Sequence, residues 1–133
     1  MKKQILAVDD SKAIRFLLQT VLGKDYQVIT VPDGYSAMYY LTHRGQPDLI
    51  IADPQLPDMQ NWELVKQFSR SIIYGHVPIL VLSGLDQNET RLKCFEYGVE
   101  KFYMKPFNPV DLLSAVNMLV KKQSFSNDYF NAN

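Results

Sequence analysis

Residues 5–15 read ILAVDDSKAIR: four apolar residues, then the adjacent aspartates Asp9 and Asp10, then the opening of a helical pattern. The apolar run is too short for an independent helix and reads as a buried strand. After it, Ile14, Leu17, Leu18, Val21 and Leu22 recur at i, i+3, i+4, i+7 and i+8. That spacing predicts an amphipathic helix with Lys12, Arg15 and Gln19 on its other face. Two like charges at a strand-to-helix junction need a reason. Taken alone they serve as a helix N-terminal charge or cap; the alternative is half of a cation site.

Outward from this unit the same alternation repeats. QILAV, YQVITV, DLIIA, PILVLS and KFYM are short apolar runs, mostly rich in β-branched or aromatic residues, and read as five strands. Between them, helical spacing predicts a second helix over 34–43 (Ala37, Met38, Leu41) and a third over about 61–70 (Leu64, Val65, Phe68). A fourth is predicted over 87–97, with Leu92, Cys94 and Phe95 facing inward and Gly98 as its stop. The last helix opens with Asn108 as cap, Pro109 at its first position and Asp111 in its first turn; Leu112, Leu113, Val116, Leu119 and Val120 form its apolar stripe. Strict β/α alternation predicts a parallel sheet covered by helices on both faces, because right-handed crossovers lay each helix against the sheet. The continuously apolar DLIIA and PILVL fit strands buried on both sides.

A chain of 133 residues, 47% hydrophobic, suits one domain around one core. Its expected extent is 1–121. Residues 122–133 are polar and aperiodic, so a flexible C-terminal tail is expected, with Phe125, Tyr129 and Phe130 disordered rather than docked. Fourteen basic and fourteen acidic residues give zero formal charge, which argues against direct nucleic-acid binding or an anionic membrane as partner. The single Cys94 has no partner for an internal disulfide and reads as a helix-packing residue, and the N-terminus has no apolar run of signal-peptide or membrane-span length. A cytoplasmic location is the default expectation, and Met1 with an irregular tail reads as a free-standing protein. His43 and His76 lie far apart without a Cys or His companion, so nothing points to a transition-metal site.

In open α/β sheets, ligands bind beyond the carboxyl ends of the strands, where strand order reverses. The residues at those ends are Asp9 and Asp10, Asp53, Ser83 and Lys105. Three clustered carboxylates repel one another unless a cation sits among them, and an oxygen-only set suits a hard ion such as Mg²⁺. A metal ion, a lysine and a hydroxyl are what a transferring phosphoryl group needs around its oxygens. An ionised carboxylate can itself be the nucleophile, forming an acyl phosphate. Asp53, from the central strand, is the candidate nucleophile; Asp9 and Asp10 are better placed for the metal.

With these residues in place, the chain resembles the receiver domain of two-component response regulators over about residues 1–121. ILAVDDSKAIR resembles its acidic-pair segment, PDLIIADPQLPDM its phosphoacceptor segment, VPILVLSG its hydroxyl-bearing strand and GVEKFYMKPF its lysine-proline segment. It resembles the free-standing single-domain type, similar to chemotaxis-like receivers. The resemblance implies a flavodoxin-like doubly wound (βα)5 three-layer sandwich, with a parallel five-stranded sheet in the order 2-1-3-4-5. It implies that Asp53 accepts a phosphoryl group from a sensor histidine kinase or histidine phosphotransfer protein. Asp9, Asp10, Asp53 and the backbone carbonyl of Gln55 would hold Mg²⁺, while Ser83 and Lys105 would contact phosphoryl oxygens. The Lys105-Pro106 bond would be cis, and Phe102 would be the switch aromatic that moves inward with Ser83. The surface of the fourth helix, fifth strand and fifth helix would meet a downstream protein target, as a monomer or a phosphorylation-dependent dimer.

Two departures stand out. Pro54 follows Asp53 where the family usually has an aliphatic residue, removing a backbone donor and holding Asp53 toward extended geometry. Gln60-Asn61 replaces the usual Asp-Gly, and Asn tolerates left-handed backbone. Besides the phosphorylated switch, Pro54 raises the alternative of a pseudo-receiver that takes no phosphate and acts as a scaffold. An aspartyl-nucleophile phosphohydrolase is disfavoured because it commonly needs a second carboxylate where this chain has Gln55. Flavin binding is disfavoured by two negative charges where a phosphate loop would lie.

Overall fold

The computed structural model describes the backbone of residues 1–131 and the side chains of residues 1–122. Among these, five strands alternate with five helices: β1 (Gln4–Val8), α1 (Lys12–Leu22), β2 (Gln27–Val31), α2 (Gly34–Arg44), β3 (Leu49–Ala52), α3 (Glu63–Arg70), β4 (Ile79–Ser83), α4 (Gln87–Glu96), β5 (Lys101–Met104) and α5 (Pro109–Asn131). All four strand pairings are parallel, in the order β2-β1-β3-β4-β5. This is the doubly wound, flavodoxin-like arrangement.

Side chains alternate across a strand, so each central strand feeds two cores. Leu6 and Val8 of β1, Ile50 and Ala52 of β3, and Val81 of β4 pack with Ala37 and Leu41 of α2, Leu64, Val65 and Phe68 of α3, and Cys94 of α4. Their neighbours Ile5, Ala7, Leu49, Ile51, Leu80 and Leu82 face the other way, against Leu18 and Leu22 of α1 and the α5 stripe of Leu112, Ala115, Val116, Leu119 and Val120. The helices therefore divide, α1 and α5 on one face and α2, α3 and α4 on the other. Between β1 and β3 the chain changes face, and the crevice left there is where the site forms.

Side-chain caps begin the helices as their sequences require. Ser11, Asp33 and Asp86 accept from the backbone N–H three residues on, at 3.3, 2.8 and 3.0 Å. Asn108 accepts from Val110 N–H at 2.8 Å, with Pro109 opening α5. Gly98, at φ 70°, takes the left-handed conformation that ends the α4 segment.

Three expectations need correction or delimiting. Leu92 and Phe95 do not face inward: they are 70% and 88% exposed, and α4 meets the sheet through Thr90 and Cys94 instead. The apolar letters of this helix suggest a wider inward face than the two buried positions, one turn apart, provide. Second, α3 starts at Glu63, because Asn61 (φ 57°) and Trp62 (φ 67°) are both left-handed. Asn accepts this backbone readily; Trp62 is held there by burial of its indole and by its backbone N–H, which donates to Pro54 O at 3.0 Å. Third, the backbone of α5 is helical to Asn131, while the side chains of Phe125, Tyr129 and Phe130 lie outside the described residues. Cys94 is buried, and burial pushes its thiol up to about 12, which suits packing rather than redox chemistry.

Truncation separates the two kinds of apolar residue. Phe68→Ala should cost about 3–5 kcal/mol, whereas Leu92→Ala should stay within about 0.5 kcal/mol of wild type. Urea unfolding midpoints measure both.

Candidate functional site

Asp9 and Asp10 follow β1 directly, Asp53 follows β3, and these strands are neighbours in the sheet. One carboxylate oxygen from each of the three lies within 4.8 Å of the others. Asp9 and Asp53 are buried, 1% and 7% exposed, while Asp10 is exposed. Backbone hydrogen bonds fix the two buried residues, with Asp9 N–H donating to Val31 O at 3.1 Å and Asp53 N–H to Val8 O at 3.0 Å. Asp9 is held further by Ser11 N–H, which donates to its Oδ1 at 2.9 Å, and by Arg15 Nη1, which donates to its carbonyl at 2.9 Å.

Lys105 follows β5, two strands from β3, and its side chain reaches across the end of β4. Its N–H donates to Ser83 O at 2.8 Å, and its Nζ lies 2.7 Å from both Asp53 Oδ2 and Asp9 Oδ2. Only the contact to Asp53 is directed as a hydrogen bond. Asp9 Oδ2 is thus a buried carboxylate oxygen beside a positive charge but without a hydrogen-bond donor. One ammonium among three carboxylates leaves the cluster short of positive charge. An oxygen-only donor set with an unsatisfied buried oxygen fits a hard divalent cation.

The other expected residues are distributed around this centre. Gln55 is exposed on the loop after Asp53, its N–H donating to Asp53 Oδ1 at 2.8 Å and its Oε1 accepting from Asn61 N–H at 3.2 Å. Pro54 is buried and leaves both oxygens of Asp53 with their donors, since Gln55 and Lys105 supply them. Ser83, fully buried, is not bonded to the carboxylates: its hydroxyl accepts from Leu85 N–H at 3.0 Å and shares a 2.8 Å hydrogen bond with the Thr90 hydroxyl. Phe102, in register with Val81 on β4, is half-buried against the α2–α4 side of the core. The Lys105-Pro106 peptide bond is cis.

Two residues of this neighbourhood are not evident in the sequence. Thr90 reads there only as a polar residue in the first turns of a helix. Asp58 lies in the loop after Asp53 and accepts from Gly34 and Tyr35 N–H at 2.9 and 2.8 Å, tying that loop to the start of α2.

A family model described as the response regulator receiver domain matches residues 5–117. The chain belongs to this family. It is 32% identical to the two-component response regulator ORR3 of Oryza sativa, across 89% of this chain and 91% of that protein. It is likewise 32% identical to the alkaline phosphatase synthesis transcriptional regulatory protein PhoP of Bacillus subtilis, across 95% of this chain and 52% of that protein. The chain spans about half or less of the length of the first curated relatives it matches. Among solved structures, chemotaxis response regulator CheY4 of Vibrio cholerae superposes with a TM-score of 0.79 at 32% identity, covering 90% of this chain and 99% of that one. Receiver domains are signalling modules of two-component systems rather than conventional enzymes, and no helix among the described residues is long and apolar enough to cross a membrane.

The charge balance has a measurable consequence. Burial raises the Asp53 carboxyl above its usual range, and the charge of Asp9 adds to this; hydrogen bonds from Lys105 and Gln55 and the lysine charge offset only part of the rise. Burial alone would lower the Lys105 ammonium, but Asp53 and Asp9 reverse that and hold it above its usual value. For Asp53 the native state binds its proton more tightly than the unfolded chain. Stability therefore falls as pH rises from about 3.9 through the folded value. In metal-free buffer the unfolding midpoint of wild type should fall relative to Asp53→Asn as pH rises above about 4. Parallel curves for the two proteins would contradict this.

Proposed function

We propose that this receiver takes a phosphoryl group on Asp53 from a phosphohistidine of a sensor histidine kinase or a histidine phosphotransfer protein, and that the modified state changes its contacts with a downstream protein. The observation that carries this reading is the shared Lys105 ammonium. It is poised against the buried Asp53 carboxylate within a carboxylate cluster that still lacks positive charge.

In the transfer, an Asp53 carboxylate oxygen attacks the phosphorus atom while the bond from phosphorus to the donor imidazole nitrogen breaks. The electron pair of that bond returns to the imidazole, and an acyl phosphate forms on Asp53. Asp9, Asp10, Asp53 and the backbone carbonyl of Gln55 would hold Mg²⁺, which supplies charge neutralisation for the phosphoryl oxygens. Lys105, already 2.7 Å from Asp53 Oδ2, pairs with an oxygen of the incoming group and so changes partner rather than position. Gln55 N–H keeps the carboxylate oriented. Ser83 donates to another phosphoryl oxygen, and as its loop moves Phe102 turns inward. This alters the surface formed by α4, β5 and α5, where exposed Leu92 and Phe95 offer apolar contact area. The action is placed in the cytoplasm, with a protein partner and no direct contact with nucleic acid.

Intact mass after incubation with acetyl phosphate tests this directly. One phosphoryl group should be added in the presence of Mg²⁺, and none without Mg²⁺ or in Asp53→Asn. A folded protein that binds Mg²⁺ and gains no mass would favour a constitutive scaffold, with Pro54 the first residue to replace.

A further inference from the structure

Ser83 and Thr90 are both completely buried, and their hydroxyls lie 2.8 Å apart. The Ser83 oxygen also accepts from Leu85 N–H at 3.0 Å, so one side chain ties together the end of β4, the loop that follows and α4. Among the described residues, Ser83 Oγ is the only hydrogen-bond partner of the Thr90 hydroxyl. Thr90 sits one turn into α4, its N–H donating to Asp86 O at 2.9 Å, and one turn before Cys94. These two are the buried side chains of α4. The Ser83–Thr90 bond is therefore the polar half of a narrow attachment of α4 to the sheet.

We propose that Thr90 is a latch on the switch, a positioning residue whose hydroxyl holds Ser83 and α4 in the unphosphorylated arrangement and opposes their movement toward Asp53. The inference rests on the phosphoacceptor reading of Asp53 and extends it to what resists the change. A Ser83 hydroxyl that turns to a phosphoryl oxygen must leave Thr90. The buried Thr90 hydroxyl then loses the partner it has here, and must turn back to the Asp86 carbonyl one turn earlier in the chain or be hydrated by movement of α4. A buried hydroxyl that loses its partner is costly; a methyl group in place of the Thr90 hydroxyl removes that cost from the switched arrangement and leaves the Ser83 O–H without its Thr90 partner in the resting one. The bond thus does two things at once. It lowers the population of the active arrangement before phosphorylation, and it couples departure of Ser83 to displacement of α4.

The test compares wild type, Thr90→Val and Thr90→Ser in titrations with beryllofluoride, a tetrahedral phosphoryl mimic, at saturating Mg²⁺. The Leu85 amide resonance reports the Ser83 bond, and Mg²⁺ is titrated alone as a control. Thr90→Val should bind beryllofluoride about 3- to 10-fold more tightly than wild type, since one hydrogen bond no longer favours the resting state. Its Mg²⁺ affinity should be unchanged, because Thr90 lies outside the carboxylate cluster. Thr90→Ser, which keeps the hydroxyl, should return to the wild-type affinity. A merely structural role for Thr90 would weaken folding without tightening this affinity. Equal or weaker beryllofluoride binding by Thr90→Val, or a serine variant that behaves like the valine one, overturns the latch alone. Failure of the wild type to bind beryllofluoride at all overturns the phosphoacceptor reading, and with it the latch as a phosphate-linked device.

Discussion

The Lys105 ammonium shared by Asp9 and Asp53 is the contact on which the rest of the site depends. Two buried carboxylates at the ends of neighbouring strands would repel each other in a medium of low dielectric, and a single lysine at 2.7 Å from each makes the pair tolerable. That lysine follows β5, so β5 must be seated on β4, beside β3 and β1, for the acidic crevice to be neutralised. Compensation is partial, because Asp10 adds a third negative charge and Asp9 Oδ2 has no hydrogen-bond donor. The fold holds a centre that is stable enough to form and still attractive to a further cation.

Much of this was visible in the letters. Asp9, Asp53 and Lys105 each stand directly after a short apolar run, and in a parallel sheet all such ends share one edge, so alignment of strand ends was enough to gather them. The two-sided burial of DLIIA and PILVL announced the layers. Asn108 and Pro109 announced the start of α5, and Gly98 the end of the α4 segment. In each case a local rule and the tertiary environment agree.

Elsewhere they part. Leu92 and Phe95 look like core residues because apolar letters at helical spacing ordinarily are; only the packed structure reveals that Thr90 and Cys94 hold that position and turn the larger side chains out. The left-handed conformation of Trp62 follows from burial of its indole and the bond to Pro54 O, facts of packing and of the loop's closure that no residue letter signals. The partnership of Ser83 and Thr90 has the same character. Six residues of loop and helix lie between them, and nothing in that spacing specifies that two hydroxyls meet.

The inverted packing of α4 also bears on how such a module diversifies. Two small side chains anchor the helix, while its bulky ones contribute little to the fold's own stability. Selection can rewrite the outward positions to suit a new partner without repacking the interior. Anchoring to the core and exposure to solvent fall to different residues of the same ten-residue helix, so the exposed ones can drift while the anchors stand still.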